Sequence, residues 1–413
     1  MRLLMLEIRK ILKTKITWIL LVFSFFLGIG MAYLPVTFEG AVVMDAGGEK
    51  TELTGTDAVA YFQKNDRLFG EVTTEKLQEG VKVYQEVYEA YDSQYGNGVP
   101  ALVYYERLAE YQPFISGVKE VFSNPETGIA PGVRDLDVGK IENYYEMLEK
   151  RLTSIMDMEQ KDYPSTKETA LAKFAKVNRP YYYYYGASSN SMDYETLFIF
   201  LFTIFAVVIA ATVFSSDYQT GADDILRCTK YGRLQLGCVK ILAALLITGI
   251  AYLLFGIIWI FTTNTLFGWE GTGTSMQIIF SVTSLVPFTI GQLQWANLLG
   301  GGILFLAAIS FTLFLSSVAK DNVFALATSL FCVLLPVIVY MTVPGAFGDW
   351  LCCILPSGGI GLSNSLLYAM YDFVFLHVGA ASFWNVDVLL LLGVIKTPVF
   401  LFLTIFSYCK RCI

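Results

Sequence analysis

The chain has 413 residues, of which 55% are hydrophobic and 16% charged, with a formal net charge of −7. Soluble globular proteins carry about 25% charged residues, so this composition excludes an ordinary soluble fold and indicates a membrane protein. The acidic excess lies in residues 36–192, which hold 16 Lys and Arg against 25 Asp and Glu. No basic surface is large enough to collect phosphates, which excludes nucleic acid as a partner.

The amino terminus predicts a basic amphipathic helix followed by a membrane span. Basic and apolar residues fall on opposite sides of the helix: Arg2, Arg9 and Lys13 against Leu4, Ile8 and Ile11. Such a helix either lies on the inner membrane surface or is the positive flank of a signal anchor. The span itself covers residues 16–34 and ends at Pro35. Because no small-residue cleavage site follows, we expect a retained anchor, and residues 1–34 form the first unit.

Residues 35–192, called the insert below, contain no stretch apolar and long enough to cross a bilayer, so we expect an extracellular domain there. Its apolar residues recur at helical spacing in two runs, namely Leu77, Val81, Tyr84, Tyr88, Tyr91 and Tyr95, and Ile141, Tyr145, Leu148, Leu152 and Ile155. Residues 96–100 and 124–132 are turn-rich breaks. Ser165 and Glu168 have capping-box spacing for a helix that should end before Pro180. The insert is therefore predicted to be mainly helical.

Five consecutive tyrosines, residues 181–185, lie about ten residues before the second span. Tyrosine is enriched at membrane interfaces, where the ring is buried and the hydroxyl stays hydrated. We therefore expect the run at the outer headgroup level, with a ligand-binding role as the alternative.

A charged island, residues 215–240, lies between two apolar runs at residues 194–214 and 241–261. Each run is long enough to span a membrane. The island contains four basic residues, which place it in the cytoplasm by the positive-inside rule: Arg227, Lys230, Arg233 and Lys240.

Within the island, Asp217 is followed by Gly221 four residues later, and Arg233 precedes Lys240 by seven residues. This pattern resembles the segment after the second span of type-2 ABC exporter permeases. The chain departs from the family pattern by Asp217 for Glu, by Ala222 for Thr, and by Tyr231-Gly232 for Pro-Ser. The resemblance implies that the island forms a short coupling helix that docks on a separate ATPase subunit, and that the amino-terminal helix is an elbow helix beside it.

The remaining spans are predicted at residues 296–318, 323–343 and 386–408. Residues 319–322 form a tight inner turn, and Lys410-Arg411 places the carboxyl terminus inside. Residues 262–295 and 344–385 lack Lys and Arg, as external segments should.

Two of the external stretches are apolar but interrupted. Residues 278–290 contain Pro287 and are expected to lie on or dip into the membrane. Residues 344–385 are broken by Pro356 and Gly358-Gly359, which suits two re-entrant helices. The fold class is thus an α-helical polytopic membrane protein with six spans in residues 1–34 and 193–413.

No sequence motif supports catalysis or metal binding by this chain. A GxxxxGK[ST] phosphate loop is missing from the sequence, so ATP and Mg should be bound by a partner subunit. His377 is the only histidine and is interpreted as a loop or interface residue. Cys409-x-x-Cys412 stands alone and cannot complete a zinc site, so it is expected to have no metal role.

The candidate ATPase-coupling residues lie in the island. We expect a short helix that presents charge to the ATPase while Ile225 and Leu226 enter a groove on it; a solvated hairpin is the alternative. The candidates are Asp217, Gly221, Asp223, Asp224, Ile225, Leu226, Arg227, Arg233 and Lys240.

Lys396 lies near the middle of the sixth span, two residues before Pro398. A lysine at that depth costs about 2.5–3.5 kcal/mol, so it needs a partner or a cavity. It is either a polar point on the translocation path or a lysine at a kink that is satisfied by carbonyls or by snorkelling. Pro398 frees the carbonyl of Val394, which could accept a hydrogen bond from the ammonium.

Three functions are compatible with these features. The first is the permease of an exporter in the bacterial cytoplasmic membrane, with two ATPase subunits and a second permease copy or homologue. It would move a peptide, lipid or drug outward, with both termini cytoplasmic. The second is a mechanical relay that controls an extracellular partner through the insert. The third, an ATP-independent channel or receptor, gives the charged island no role.

Overall fold

The fold is described from a computed structural model, which covers residues 2–44, 48–92, 96–229 and 232–410. Five residues named in the sequence predictions lie outside these ranges: Tyr95, Lys230, Tyr231, Arg411 and Cys412.

The chain begins with the predicted amphipathic helix, α1 (Arg2–Lys13), and the first membrane helix, α2 (Lys15–Tyr33). Ile11 on the apolar side of α1 is buried, and the basic residues Arg2 and Lys13 are exposed. The short turn at Thr14 separates α1 from α2. A 3-10 turn that contains Pro35 follows α2, close to the predicted end of the first span.

The insert is mainly helical, with two small antiparallel β-ladders that the sequence analysis did not predict. Its elements are β1 (Gly40–Met44), β2 (Lys50–Thr54), α3 (Thr56–Asn65), β3 (Gly70–Glu71), α4 (Thr74–Ala90), α5 (Ala101–Val103), α6 (Gln112–Val121), α7 (Tyr144–Glu159), α8 (Pro164–Phe174) and β4 (Tyr182–Tyr183). β1 pairs with β2, and β3 pairs with β4. A π-helical turn at Tyr104–Leu108 and 3-10 turns at Ala109–Tyr111, Val133–Asp135 and Val138–Asn143 connect the helices.

The two helical runs predicted in the insert are present as α4 and α7. Leu77, Val81 and Tyr84 of α4 are buried. In α7, Leu148 and Leu152 are buried, so the apolar stripes of both helices form the core of the insert. The first run extends less far than predicted, because α4 ends at Ala90 and the next residue of the stripe is exposed.

The predicted capping box of α8 is wrong. α8 begins at Pro164, whose fixed φ suits the first helical position, and no side chain caps its first turn. Ser165 instead donates a hydrogen bond to the Ala380 carbonyl in residues 344–385, at 2.9 Å. The helix does end before Pro180, as predicted.

The tyrosine run is part of the insert core, which contradicts the headgroup prediction for Tyr181 and Tyr183. Both side chains are buried, with exposed fractions of 0% and 7%. The Tyr181 hydroxyl donates to the Val282 carbonyl at 2.6 Å. Pairing of β4 with β3 turns these two rings inward and leaves Tyr182 at 43% exposure.

The remaining elements include five further membrane helices, so six helices in the described residues are long and apolar enough to cross a membrane, as predicted. In chain order the elements are α9 (Ser189–Thr220), α10 (Ala222–Arg227), α11 (Leu234–Phe267), α12 (Met276–Ile279), α13 (Ile290–Val318), α14 (Asn322–Thr342), α15 (Ala346–Ile354), α16 (Leu366–Tyr371), β5 (Phe375–Val378), β6 (Ala381–Trp384) and α17 (Asn385–Lys410).

The centre of the bundle is formed by α9 and α13. Of their apolar windows, 67% and 61% are buried, against 28% for each of α2, α14 and α17, which leave apolar surface outward. A Cβ atom on Gly393 of α17 would lie 2.9 Å from Leu304 Cδ2 of α13. Glycine therefore permits the close approach of these two helices, as small residues do in membrane bundles.

Residues 344–385 contain the two short helices predicted there, α15 and α16, followed by the unpredicted hairpin β5–β6. The hairpin and the first turn of α17 contact the insert. His377 of the hairpin stacks on Tyr163 with ring centroids 3.5 Å apart, and Asp387 of α17 pairs with Lys173 at 2.8 Å. His377 is thus an interface residue, as predicted.

Residues 276–289 pack against the insert. Glu120 of α6 accepts hydrogen bonds from Ser281, Thr283 and the Val282 amide at 2.6, 3.0 and 3.3 Å. The insert is therefore attached to both segments that connect the spans at its end of the bundle.

Candidate functional site

The charged island is mostly helical and forms less of a loop than predicted. α9 continues through Asp217 to Thr220, and α11 begins at Leu234, so only residues 221–233 lie outside the membrane helices. Gly221 has φ 71°, the left-handed conformation that commonly ends helices and that glycine adopts without steric cost. The chain can therefore turn at Gly221 and form the short helix α10 beside the bundle.

Asp217 lies between two lysines from different elements. Its carboxylate oxygens accept hydrogen bonds from Lys10 of α1 and Lys240 of α11, one lysine on each oxygen. The side chains of Asp217 and Lys240 are 4% and 0% exposed, and Lys10 closes the site from the surface. A buried charge is tolerated only when it is paired, so this ion triad joins α1, α9 and α11.

A second buried group attaches α10 to the last helix. Arg227 Nε lies 2.6 Å from Asp223 Oδ2, and the Arg227 guanidinium donates to the Tyr408 carbonyl. The Tyr408 hydroxyl lies 3.2 Å from both Asp223 Oδ1 and the Gly232 carbonyl. These contacts connect α10 and the following loop to the end of α17.

Tyr408 links the two groups. Its ring lies under the Arg227 guanidinium at 4.6 Å and near the Lys240 ammonium at 5.6 Å. Phe214 lies 5.2 Å from the same ammonium. Cations over aromatic faces are attracted by the ring quadrupole, so both buried cations gain from this fully buried ring. We call the residues Lys10, Asp217, Asp223, Arg227, Lys240 and Tyr408 the coupling cluster.

The expectation that the charges of the island face a partner is wrong for Asp217, Asp223, Arg227 and Lys240, because all four are buried in the coupling cluster. Of the candidate residues, Gly221, Asp224, Ile225 and Arg233 are exposed and Leu226 is half-buried, and Cys228 and Thr229 are exposed beside them. Ile225 is 74% exposed. The surface available to a partner is therefore smaller and more apolar than predicted.

Gly232 fits closely beneath α10. A Cβ atom at this position would lie 1.9 Å from the Leu226 carbonyl oxygen, which belongs to the backbone and cannot move aside as a side chain would. Only glycine allows the loop to approach α10 so closely, and the approach brings the Gly232 carbonyl to Tyr408.

Two members of the coupling cluster, Lys10 and Tyr408, were not identified from the sequence. Lys10 belongs to the basic helix, but its pairing with Asp217 spans 207 positions, and helical periodicity gives no information at that range. Tyr408 was assigned only as the end of the sixth span. The available signal was that Tyr408 and Lys10 are predicted at the same membrane face as Asp217, an acid that needs a partner.

Lys396 is held by the carboxyl end of α15. Its ammonium donates to the carbonyls of Cys353 and Leu355, at 3.1 and 2.8 Å. Both acceptors lie at the carboxyl end of α15, where the helix leaves carbonyls unpaired and the helix dipole favours a cation. Lys396 is thus satisfied by carbonyls, as one of the two interpretations predicted, but they are not the expected carbonyl of Val394. Pro398 lies within the continuous helix α17.

We expect Lys396→Met to loosen α15. The variant loses two charge-assisted hydrogen bonds, each worth about 1.5–3 kcal/mol, but it also removes the cost of burying the ammonium. We expect a net loss of about 1.4 kcal/mol, so labelling of the buried Cys353 by a membrane-permeant maleimide should rise about tenfold. Peptide-level mass spectrometry measures this thiol separately from the others. Lys396→Arg keeps a charged donor and should retain most of the protection, and Lys320→Met, at an exposed lysine, is the control. Equal labelling in all variants would show that other contacts hold α15.

No group of three or more His, Cys, Asp or Glu residues is placed to hold a metal ion in the described part of the chain. Cys409 is half-buried at the end of α17. The coupling cluster consists of ion pairs and hydrogen bonds between helices.

Comparison with known proteins agrees with the architecture. A family model described as ABC-2 family transporter protein matches residues 1–411. A comparison with curated proteins gives no significant match. With six candidate spans and a family match over nearly its whole length, the chain belongs to the ABC-2 family of transporter proteins and is a multi-pass membrane permease.

Proposed function

We propose that this chain is the permease subunit of an ATP-driven exporter that moves a hydrophobic or amphipathic molecule, such as a peptide, lipid or drug, out of the cell. Two separate ATPase subunits bind ATP and Mg and supply the work. A second copy or a homologue of the chain completes the transmembrane unit. The assembly lies in the bacterial cytoplasmic membrane, and both termini face the cytoplasm.

The observation that carries this proposal is the attachment of α10 to four other helices. α10 exposes Asp224 and Ile225 to the surface, while Asp223 and Arg227 on its other side bind Tyr408 of α17. The coupling cluster continues from there to α1, α9 and α11. A push on the exposed face of α10 therefore reaches both ends of the chain and the second and third spans together, as power transfer from an ATPase requires.

The composition of the spans supports an apolar cargo. The membrane helices of the described chain place few ionisable side chains between their ends. Lys396 is one of them, and its ammonium already donates hydrogen bonds to carbonyls at the end of α15. A path lined in this way suits an amphipathic molecule better than a small ion, because it offers no series of charged groups to replace a hydration shell.

A relay function is favoured by one observation. The insert is joined to the spans through Glu120 at residues 281–283 and through the stacked pair Tyr163 and His377. Movement of the spans would therefore be transmitted to the insert, and from it to an extracellular partner. In this second function nothing is transported.

The contact with the ATPase is tested at Ile225. We expect Ile225→Asp to reduce the amount of ATPase subunit that copurifies with the tagged chain by about tenfold, because a charge replaces an apolar anchor at the interface. Ile129→Asp, at a 70% exposed position in the insert, should leave copurification unchanged. ATPase recovery that is equal for the two variants would contradict docking on α10.

A further inference from the structure

A cavity of about 630 Å³ lies between the insert and the segment that follows α11. Its lining includes Phe38 at the end of the 3-10 turn after α2, Ser189 at the beginning of α9, and Phe280. Its size is within the range of about 300–1,000 Å³ that small-molecule sites occupy. The coupling cluster contributes nothing to its walls, so the cavity is a separate feature of the molecule.

The walls carry a strong acidic excess. Five carboxylates line the cavity, against one basic residue, Arg67: they are Glu39, Asp66, Glu106, Glu110 and Glu120. None of the five carboxylates takes part in an ion pair among the described residues. The cavity therefore has an uncompensated negative potential.

The carboxylates differ in how fully they are engaged. Glu120 and Asp66 accept hydrogen bonds from the backbone or from hydroxyls of the fold, including the Tyr185 amide on Asp66 at 3.2 Å. Glu106 is exposed. Burial raises the pKa of Glu39, partly offset by the Tyr185 hydroxyl at 3.2 Å. Burial also raises the pKa of Glu110, partly offset by Arg67, whose backbone amide donates to Glu110 Oε1 at 2.9 Å.

Aromatic rings stand beside these acids. Phe62 packs on Tyr185 with ring centroids 5.2 Å apart and on Tyr105 at 6.3 Å, and all three line the cavity. Tyr185 belongs to the tyrosine run for which ligand binding was the alternative interpretation. Aromatic faces attract organic cations and also accept apolar groups, so the walls match a ligand that combines both properties.

We propose that this cavity binds a cationic amphiphile, with its positive group between Glu39 and Glu110 and its apolar group against Phe62, Tyr105 and Tyr185. Such a ligand is either a small organic cation or the basic, aromatic end of a peptide. The site lies at the outer end of the first two spans, where the insert meets the bundle. The role of this site rests on the proposed export function. Binding of a cation there would mean that the exported cargo is positively charged.

Binding is tested on the purified full chain in detergent, without an ATPase. Tetraphenylphosphonium and tetraphenylborate have nearly the same shape and opposite charge. Comparing them therefore separates binding that depends on charge from binding that depends on hydrophobic contact alone. We expect the phosphonium to bind and the borate to bind at least tenfold more weakly. The affinity for the phosphonium should fall as ionic strength rises, because salt screens the carboxylates.

The double variant Glu39→Gln/Glu110→Gln should raise the phosphonium Kd by about tenfold, since two half-buried charges are removed while the amide oxygens still accept hydrogen bonds. Glu142→Gln/Glu146→Gln removes the same charge from exposed positions of the insert outside the cavity and serves as the control. If the first variant fails to fold, Glu106→Gln, at an exposed wall position, should still raise Kd about threefold.

Displacement of the phosphonium by an amidated peptide of alternating arginine and tryptophan would identify a peptide end as the ligand, and failure to displace it would identify a small cation. Equal binding of phosphonium and borate, or equal Kd values for the cavity and control variants, would overturn the site. Because no ATPase is present, either outcome leaves docking at Ile225 untouched, and loss of docking leaves this binding untouched.

Discussion

The variant Asp217→Asn should lose about 3–5 kcal/mol of unfolding free energy, the usual cost of removing one partner from a buried ion pair. Asparagine has almost the shape of aspartate, but it carries no charge to balance Lys240, which is fully buried. Lys10 can turn toward solvent, because its side chain is 43% exposed. The cost therefore arises mainly at the α9–α11 contact.

Two further variants separate charge from packing. Asp224→Asn changes the same functional group at an exposed position seven residues away and should alter stability by less than about 0.5 kcal/mol. Asp217→Asn/Lys240→Met removes both buried charges and should recover most of the loss, since apolar replacement of a whole buried pair is often neutral. Unfolding by SDS in mixed micelles, followed by far-UV circular dichroism, measures all three. A loss no greater than that of Asp224→Asn would show that the triad does not hold these helices together.

The six spans were predictable because each depends on local composition alone. About 20 apolar residues in succession suffice to identify a span, whatever the rest of the chain does. The ends were less predictable: α9 continues six residues beyond the apolar run, to Thr220. Polar residues are compatible with a helix that leaves the membrane, so the loss of hydropathy at Ser215 did not mark the end of the helix.

The side-chain partners could not be predicted in the same way. Asp217 and Lys10 meet only because α1 folds back on the third span, a tertiary contact that no periodicity reports. For Lys396 the need for a partner followed from its depth, but the identity of the acceptors depended on where α15 ends. Tyr181 was misassigned for a related reason: a tyrosine suits both an interface and a core with one acceptor, and the Val282 carbonyl supplies that acceptor.

The attachment of the insert is expected to depend on Glu120. In Glu120→Ala the hydroxyls of Ser281 and Thr283 and the amide of Val282 lose one common acceptor. Hydrogen bonds to a charged group contribute about 1.5–3 kcal/mol each, and water replaces part of them, so we expect a net local loss of about 3 kcal/mol. Since 1.4 kcal/mol corresponds to a factor of ten, backbone amides of residues 276–289 should exchange hydrogen about 100-fold faster.

Hydrogen exchange of the solubilised full chain, resolved to peptides, measures this effect. Glu126→Ala, at an exposed turn of the same insert, should leave exchange in residues 276–289 unchanged. Val282 also packs against the insert, because a Cβ atom on Gly117 would lie 2.6 Å from its Cγ1, and the Tyr181 hydroxyl holds its carbonyl. If exchange stays slow in Glu120→Ala, these apolar and backbone contacts are sufficient for the attachment and the carboxylate is dispensable.

The same variant distinguishes the two proposed functions. An exporter needs the insert only near the exit of the cargo, so Glu120→Ala should retain ATP-driven uptake of cargo into inverted vesicles, or its release from cells, at an altered rate. A relay transmits its whole output through the insert, and loosening residues 281–283 weakens one of its connections to the spans, while others remain, such as the Tyr163 and His377 stack and the Lys173–Asp387 ion pair. Loss of an extracellular partner's activity with ATP hydrolysis intact would therefore favour the relay. Continued export by the loosened protein would exclude the relay as the main function.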